Sequence, residues 1–175
     1  HRHNFFFALF LEKGTGKHSI DFINYPVGDY SVFFMRPGQV HQLTLKQGSK
    51  GYLLQFNREF YAPKEEPVNF VLRKVSHKNH CPLSVEKFSK LLLHLSFIFE
   101  EYTQKQDRYK EVITASLEIL FIELVRQSKN PKEIKNDGTK YSQEQLEELL
   151  ELLQKHIVTH KQVTQYAEMM HPTTF

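Results

Sequence analysis

The spacing of apolar residues changes near Ser84, and this change limits the possible folds more than any other feature. From His1 to about Lys74, short aromatic and β-branched clusters alternate with turn residues, as in FFFALFLEKG, GKHSIDFINYPVGDY and SVFFMRPGQ. Such short, evenly spaced runs predict four or more antiparallel strands in a sandwich or small barrel. From Ser84 onward the apolar residues recur at helical spacing. The sequence therefore predicts an α+β chain with its strands first and its helices after them.

Two amphipathic helices are predicted after the strands. The first carries apolar residues on one broad face from Val85 to Tyr102, and the second repeats the spacing from Tyr109 to Val125. The polar break at 103–107 is short enough for an antiparallel hairpin. Stripes this wide can cover a sheet and still offer apolar surface to a second copy, although plain core packing explains them equally well. The candidate dimerisation residues are Val112, Leu117, Leu120 and Leu124.

A lysine-rich segment, SKNPKEIKNDGTK, follows the second helix and has the composition of an exposed linker. After it, leucines at helical spacing alternate with a glutamate-rich face. These features predict a sandwich or small β-barrel at 1–80, a helical hairpin at 81–128, a linker at 129–140 and a partial helical domain at 141–175.

The last residues have the pattern of a starting helix-turn-helix. An amphipathic helix runs from Val163 to Met170, with the small Ala167 where two helices cross closely. A turn containing Pro172 follows, and Thr173 is placed to cap the next helix. The residues expected to pack or cap this motif are Val163, Ala167, Met170 and Thr173.

The segment LEELLELLQKHIVTHKQVTQYAEMMHPTTF resembles the opening of the DNA-binding domain of AraC/XylS-family transcription regulators. The resemblance implies that the recognition helix begins at Thr173, and that the base-contacting residues lie after Phe175 in a longer protein. The order of barrel, hairpin and linker is also the family's order. It implies a regulator without enzymatic activity or cofactor, acting as a homodimer and binding DNA through its full-length form in response to a small effector.

Histidines near the start of the chain are similar to the two short motifs of cupin barrels. His1 and His3 precede an apolar strand, and His41 ends the run from Pro37. Cupins that hold a metal add a Glu, but that position here falls in Phe7-Ala8-Leu9, which offers no ligand. Three neutral imidazoles can still hold zinc or iron, without the charge that hard divalent ions favour. We therefore expect no metal, and the alternative is a metal-dependent cupin enzyme, a small oxygenase or isomerase.

The cupin-like resemblance also implies an effector pocket inside the barrel. Strand alternation places either Phe5, Phe7 and Leu9 or their neighbours inside, and we favour the set in phase with His1 and His3. The predicted pocket is mostly aromatic, with polar handles at its mouth, although these Phe side chains explain an ordinary core equally well. The candidate ligand-binding residues are His3, Phe5, Phe7, Phe34 and His41.

Composition limits which disulfide, membrane and DNA-binding properties the chain can have. Cys81 is the single cysteine, so an intramolecular disulfide is excluded and a cytoplasmic location is the simple prediction. The longest apolar run, Phe5 to Leu11, is far shorter than the ~20 residues of a membrane helix. A net charge of +3 neither supports nor excludes DNA binding. A third interpretation is a stand-alone dimeric binding module.

Overall fold

Contacts within the chain divide it into two units, His1–Lys129 and Asn130–Phe175. The structure is a computed structural model, and the predicted linker at 129–140 lies outside the residues that it describes. None of the helices among those residues is long and apolar enough to cross a membrane. The described residues are 2–61, 71–72, 74–76, 78–128, 145, 149, 152–153 and 156–170.

The first unit contains two antiparallel sheets, which confirms the predicted α+β class. One sheet has the strand order β6-β1-β4-β7 and the other has the order β3-β2-β5. They do not close into the predicted barrel; an isolated bridge between Arg2 and Val40 joins the segments that lead into β1 and β5. The strands are β1 Phe6–Lys13, β2 Gly16–Ile20, β3 Ile23–Val27, β4 Ser31–Met35, β5 His41–Leu45, β6 Lys50–Phe56 and β7 His80–Pro82.

The pair β1 and β4 forms the middle of the unit. Residues 6–11 of β1 and all residues of β4 are buried, because both faces of this pair are covered. One face packs against the second sheet through Phe7, Leu9 and Phe33. The other face, with Phe6 and Phe34 among its residues, packs against two helices. Strands buried on both faces read as continuous apolar runs, which explains FFFALFL.

The predicted helical hairpin covers that second face. Helix α1 runs from Val85–Gln104, and its N-cap Ser84 accepts a hydrogen bond from the backbone N–H of Lys87. Helix α2 runs from Tyr109–Ser128. The Nζ of Lys87 donates to the carbonyl of Gln127 over 2.9 Å, which joins the start of α1 to the end of α2 and sets them antiparallel.

The side chains predicted to form a dimer interface lie mostly in the core instead. Leu117, Leu120 and Leu124 are buried against the sheet, and Val112 is partly buried. The apolar stripe of α2 packs against the sheet of its own chain, because the helix-facing side of β1 and β4 is apolar and has to be covered. These leucines are therefore unavailable to a second copy in this fold.

The second unit contains helix α3, Val163–Met170. Its buried Tyr166 donates a hydrogen bond to the carbonyl of His160 over 2.7 Å, which fixes the helix to the turn before it. Val163 is 85% exposed and Ala167 is also exposed, so neither packs in the predicted way among the described residues. Met170 is partly buried, and Thr173 lies outside the described residues.

A leucine pair tests whether α2 is a core helix. We expect Leu120→Ala to lower the free energy of unfolding by about 2–5 kcal/mol, because the side chain is fully buried between helix and sheet. The matched variant Leu53→Ala removes a half-exposed leucine and should cost about 1 kcal/mol or less. Urea unfolding of both variants provides the measurement. Equal losses would contradict the packing described here.

Candidate functional site

A row of six aromatic rings lies between the two sheets and forms the candidate site. The distance between successive ring centroids is 5.1 Å from His3 to His41, 5.3 Å from His41 to His18 and 4.8 Å from His18 to Phe33. The row continues over 4.5 Å to His80 and 5.7 Å to Tyr25. We call it the imidazole row, since four of its six members are histidines. Its members are His3, His41, His18, Phe33, His80 and Tyr25.

Strand register brings these rings together. His18 of β2 is opposite Tyr25 of β3, and His41 of β5 is opposite Ile20, two residues further along β2. On the facing sheet, Phe33 of β4 is opposite His80 of β7, and the two rings are stacked within 12° of parallel. Side chains opposite or diagonal across antiparallel strands approach within contact distance. Strand pairing within each sheet and packing of the two sheets against each other thus form most of the row.

A tight turn places His3 beside His41. Gly38 adopts φ 92°, in the left-handed region that side chains disfavour, and its N–H donates to the carbonyl of His3 over 2.8 Å. Two phenylalanines line the same end: Phe5 stacks on His3 at 4.6 Å, and the ring of Phe7 lies 5.1 Å from that of His41. The end of the row is thus walled by aromatic rings.

The two innermost histidines contact each other through ring nitrogens. The Nε2 of His18 lies 3.1 Å from the Nδ1 of His41, so one nitrogen donates and the other accepts. His18 is completely buried. Burial lowers the pKa of His18 to about 4, with His41 and His80 adding to the effect. A buried imidazole charge next to other imidazoles is disfavoured, so His18 is neutral at neutral pH.

The neighbouring histidines are neutral for the same reason. Burial lowers the pKa of His41, and the nearby His3 contributes. Burial also lowers the pKa of His80, to which Lys78 adds. A neutral imidazole presents one donor and one acceptor. His18, His41 and His80 thus offer hydrogen-bonding atoms without net charge, between apolar walls.

Nδ1 of His18 and Nε2 of His80 are buried ring nitrogens without a hydrogen-bond partner among the described residues. Such atoms cost about 1–3 kcal/mol when buried without a partner. A polar atom of a ligand placed between the sheets would remove that cost. The chemistry favours a small, flat and neutral ligand with its own donor and acceptor groups.

Four of the five predicted ligand-binding residues lie together at one end of the row: His3, Phe5, Phe7 and His41. Phe34 lies apart from them, on the helix-facing side of β4, where its ring is 5.6 Å from Phe121. Neighbouring residues of a strand point to opposite faces, so Phe33 holds the position that was assigned to Phe34.

Sequence reasoning missed His18, Phe33 and His80. His18 shares the inward phase of Ile20 in β2, which is a signal that could have identified it. No comparable signal existed for His80, because β7 has three residues and shows no period. Cys81 next to it is buried on the helix-facing side.

The cupin alternative requires His1, His3 and His41 as metal ligands, and the structure describes two of these three residues. His1 lies outside the described residues. Within the part of the chain that is described, no three His, Cys, Asp or Glu side chains are arranged to hold a metal ion. His3 and His41 contact each other and phenylalanine rings, and His41 also contacts His18.

Comparison with known proteins gives no relative: no family model matches the chain, and no curated protein matches it significantly.

A fall in pH should lower the free energy of unfolding of the first unit, because His18 of the imidazole row binds a proton more readily in the unfolded chain. The pKa of His18 is about 4 when folded and 6.5 in its ordinary state, so the unfolded chain binds more protons between these values. The contribution of His18 to stability is complete above pH 6.5 and falls, by on the order of 3 kcal/mol, as the pH drops towards 4.

Urea unfolding at a series of pH values measures this effect. His18→Gln keeps a polar side chain but cannot titrate, so its stability should change less between pH 6.5 and 4.5 than that of the wild type. His94→Gln on α1, for which no such burial exists, provides the matched control. Identical pH profiles for wild type and His18→Gln would contradict a neutral, buried His18.

Proposed function

We propose that this chain is the sensing portion of an effector-responsive transcription regulator of the AraC type, and that its effector binds beside the imidazole row. The observation that carries the proposal is the row itself. It combines aromatic walls with two buried nitrogens, on His18 and His80, that lack a partner among the described residues. Small-molecule sites have this composition, with few polar atoms placed among aromatic side chains.

The electrostatics of the row favour binding over catalysis. A general base works best with a pKa near the operating pH and with a partner that orients it. His18, with a pKa of about 4, is too weak a base near neutral pH, and its ring contacts His41 rather than a carboxylate. These features support a binding module and give no support to an enzyme.

The packing supplies a physical connection from the effector to the helices. Phe33 belongs to the row, while its chain neighbour Phe34 contacts Phe121 of α2. A ligand that moves β4 therefore moves the support of α2, whose end leads through the lysine-rich segment into the second unit. Switching requires that the ligand bind one arrangement more tightly than the other. In this proposal the regulator works as a homodimer in the cytoplasm, where its DNA lies.

The second unit supports the DNA-binding part of the proposal through α3. Val163 and Ala167 are one turn apart and exposed, while the neighbouring Tyr166 is buried and anchors the helix to the turn before it. An exposed apolar face on a short, anchored helix suits the packing of a following helix, as the first helix of a helix-turn-helix requires. Thr173 would cap that following helix.

Effector binding is tested with small flat probes: nicotinamide, benzamide and indole. We expect at least one to raise the melting temperature of the wild-type chain, since a ligand at ~100 times its Kd stabilises by about 2.7 kcal/mol. The double variant His3→Ala, His41→Ala should lose this response, because both handles are removed. His94→Ala is the matched control and should keep it. A probe that stabilises wild type and double variant equally would place its site elsewhere.

DNA binding is tested on the native gene product. The proposal predicts an intact mass well above the 20.8 kDa of this chain, with the additional mass after Phe175. A protein of that size should protect a specific DNA sequence in footprinting, with protection that depends on the effector. A native protein that ends at Phe175 would refute direct DNA reading and leave the binding module.

A further inference from the structure

The outward surface of α1 carries a regular stripe that the fold does not use. Its six residues are spaced alternately four and three apart, so they lie along one side of the helix, and all six are exposed. Two apolar side chains occupy the middle: Leu93, 73% exposed, and Phe97, 49% exposed. We call this set the outer stripe. Its residues are Glu86, Lys90, Leu93, Phe97, Glu100 and Gln104.

The outer stripe is complementary to itself when the helix is reversed. The positions are symmetric about residue 95, so a second copy of α1 packed antiparallel at that level places Lys90 opposite Glu100. The same operation places Leu93 opposite Phe97, and Glu86 opposite Gln104. Alternating spacings of four and three are those of the apolar seam in two-helix coiled coils. Every contact in this arrangement is favourable or neutral in charge.

The alternative parallel arrangement has the opposite electrostatics. It would place Lys90 against Lys90 and Glu100 against Glu100, and like charges directly across an interface are unfavourable. The charge pattern therefore selects the antiparallel pairing. In that pairing a two-fold axis makes each contact occur twice, as in other isologous dimers.

From this pattern we infer that the outer stripe of α1 is the surface through which two copies of this chain associate, antiparallel and about a two-fold axis at the level of Leu95. The inference supplies the surface for the homodimer in the proposed function and rests on it to that extent. It replaces the buried leucines of α2 with residues that are exposed.

The size of the stripe sets the strength of the association. A helix of 20 residues is about 30 Å long, and one side of it offers less than the ~800 Å² per partner of a stable interface. The dimer should therefore depend on concentration. The charged pairs should also weaken with salt, because they lie at exposed positions.

Lys90 also has a charged neighbour on α2 of its own chain. It lies close enough to Glu123 of α2 to help lower the pKa of that carboxyl, which is already held by hydrogen bonds from Arg126 and Gln127. Glu100 accepts a hydrogen bond from Gln104 over 2.8 Å on its own helix. Lys90 and Glu100 are both exposed, so each charged side chain remains accessible to a second copy.

Charge reversal with complementation tests the inference. Sedimentation equilibrium of the wild-type chain over a wide concentration range should show a monomer–dimer equilibrium. K90E alone and E100K alone should each weaken dimerisation roughly tenfold, because two symmetry-related pairs turn from attractive to repulsive. The double variant K90E/E100K restores opposite charges at both positions and should dimerise like the wild type.

An equimolar mixture of K90E and E100K gives the sharpest result. In the mixed dimer opposite charges meet at both contacts, so the mixture should associate more tightly than either variant alone. Matched controls are K46E, directly after β5, and E12K, in β1, which change charge by the same amount on exposed residues away from α1 and should leave dimerisation unchanged. Circular dichroism and melting temperature show whether each variant is folded.

Each outcome decides a different point. A strictly monomeric wild type would overturn the inference, leaving another protein or the second unit as the occupant of this face. A dimer whose dissociation constant does not change in K90E and E100K would place the interface elsewhere. A mixture of the two variants that dimerises no more tightly than either variant alone would refute the antiparallel pairing. Binding of the flat probes is measured separately and should persist in K90E, so failure of the dimer surface is distinguishable from failure of the effector site.

Discussion

Pairing between β1 and β4, from Phe7 opposite Met35 to Leu11 opposite Ser31, places a two-stranded layer in the middle of the first unit with no face to solvent. Each fully buried large apolar side chain contributes about 1.5–3 kcal/mol, so this layer is a major source of stability. It also requires cover on both sides. The second sheet covers one face and the helical hairpin covers the other, which is why the apolar stripes of α1 and α2 are core.

Burial next to this layer determines the acid–base chemistry of the histidines between the two sheets. Charged imidazoles would lose their hydration between the sheets, and they would lie beside other imidazoles. Their pKa values are therefore lowered, and the interior keeps polar atoms without keeping charge. An interior of this kind distinguishes ligands by the positions of donors and acceptors, and it discriminates against ions that would have to leave water.

The sequence predicted the α+β class of the fold, which follows from periodicity. The phase of β1 does not follow from its continuous apolar run, and it was chosen to match His1 and His3. Phe34 was misplaced because adjacent phenylalanines in β4 differ in face, and the register with β1 cannot be read from either strand alone. His18 and His80 joined the row through strand pairing between distant segments. The leucines of α2 were assigned to a dimer because a helix stripe shows that a face is buried without showing what buries it. Short strands left a sandwich and a small barrel open, and the choice of a closed barrel came from the cupin-like resemblance.

The layers also determine how an effector and a dimer partner would influence each other. The imidazole row lies on one side of the β1–β4 layer, the hairpin lies on the other, and the outer stripe is on the outward surface of α1. If the two proposed sites are coupled through this layer, linkage requires the coupling to be reciprocal. An effector that tightens dimerisation tenfold must bind the dimer more tightly than the monomer by about 1.4 kcal/mol per dimer, whatever path connects the sites. A weak dimer surface suits this role, because a small coupling energy can then change the fraction of dimer substantially, whereas a surface of several thousand Å² would remain associated at any effector concentration.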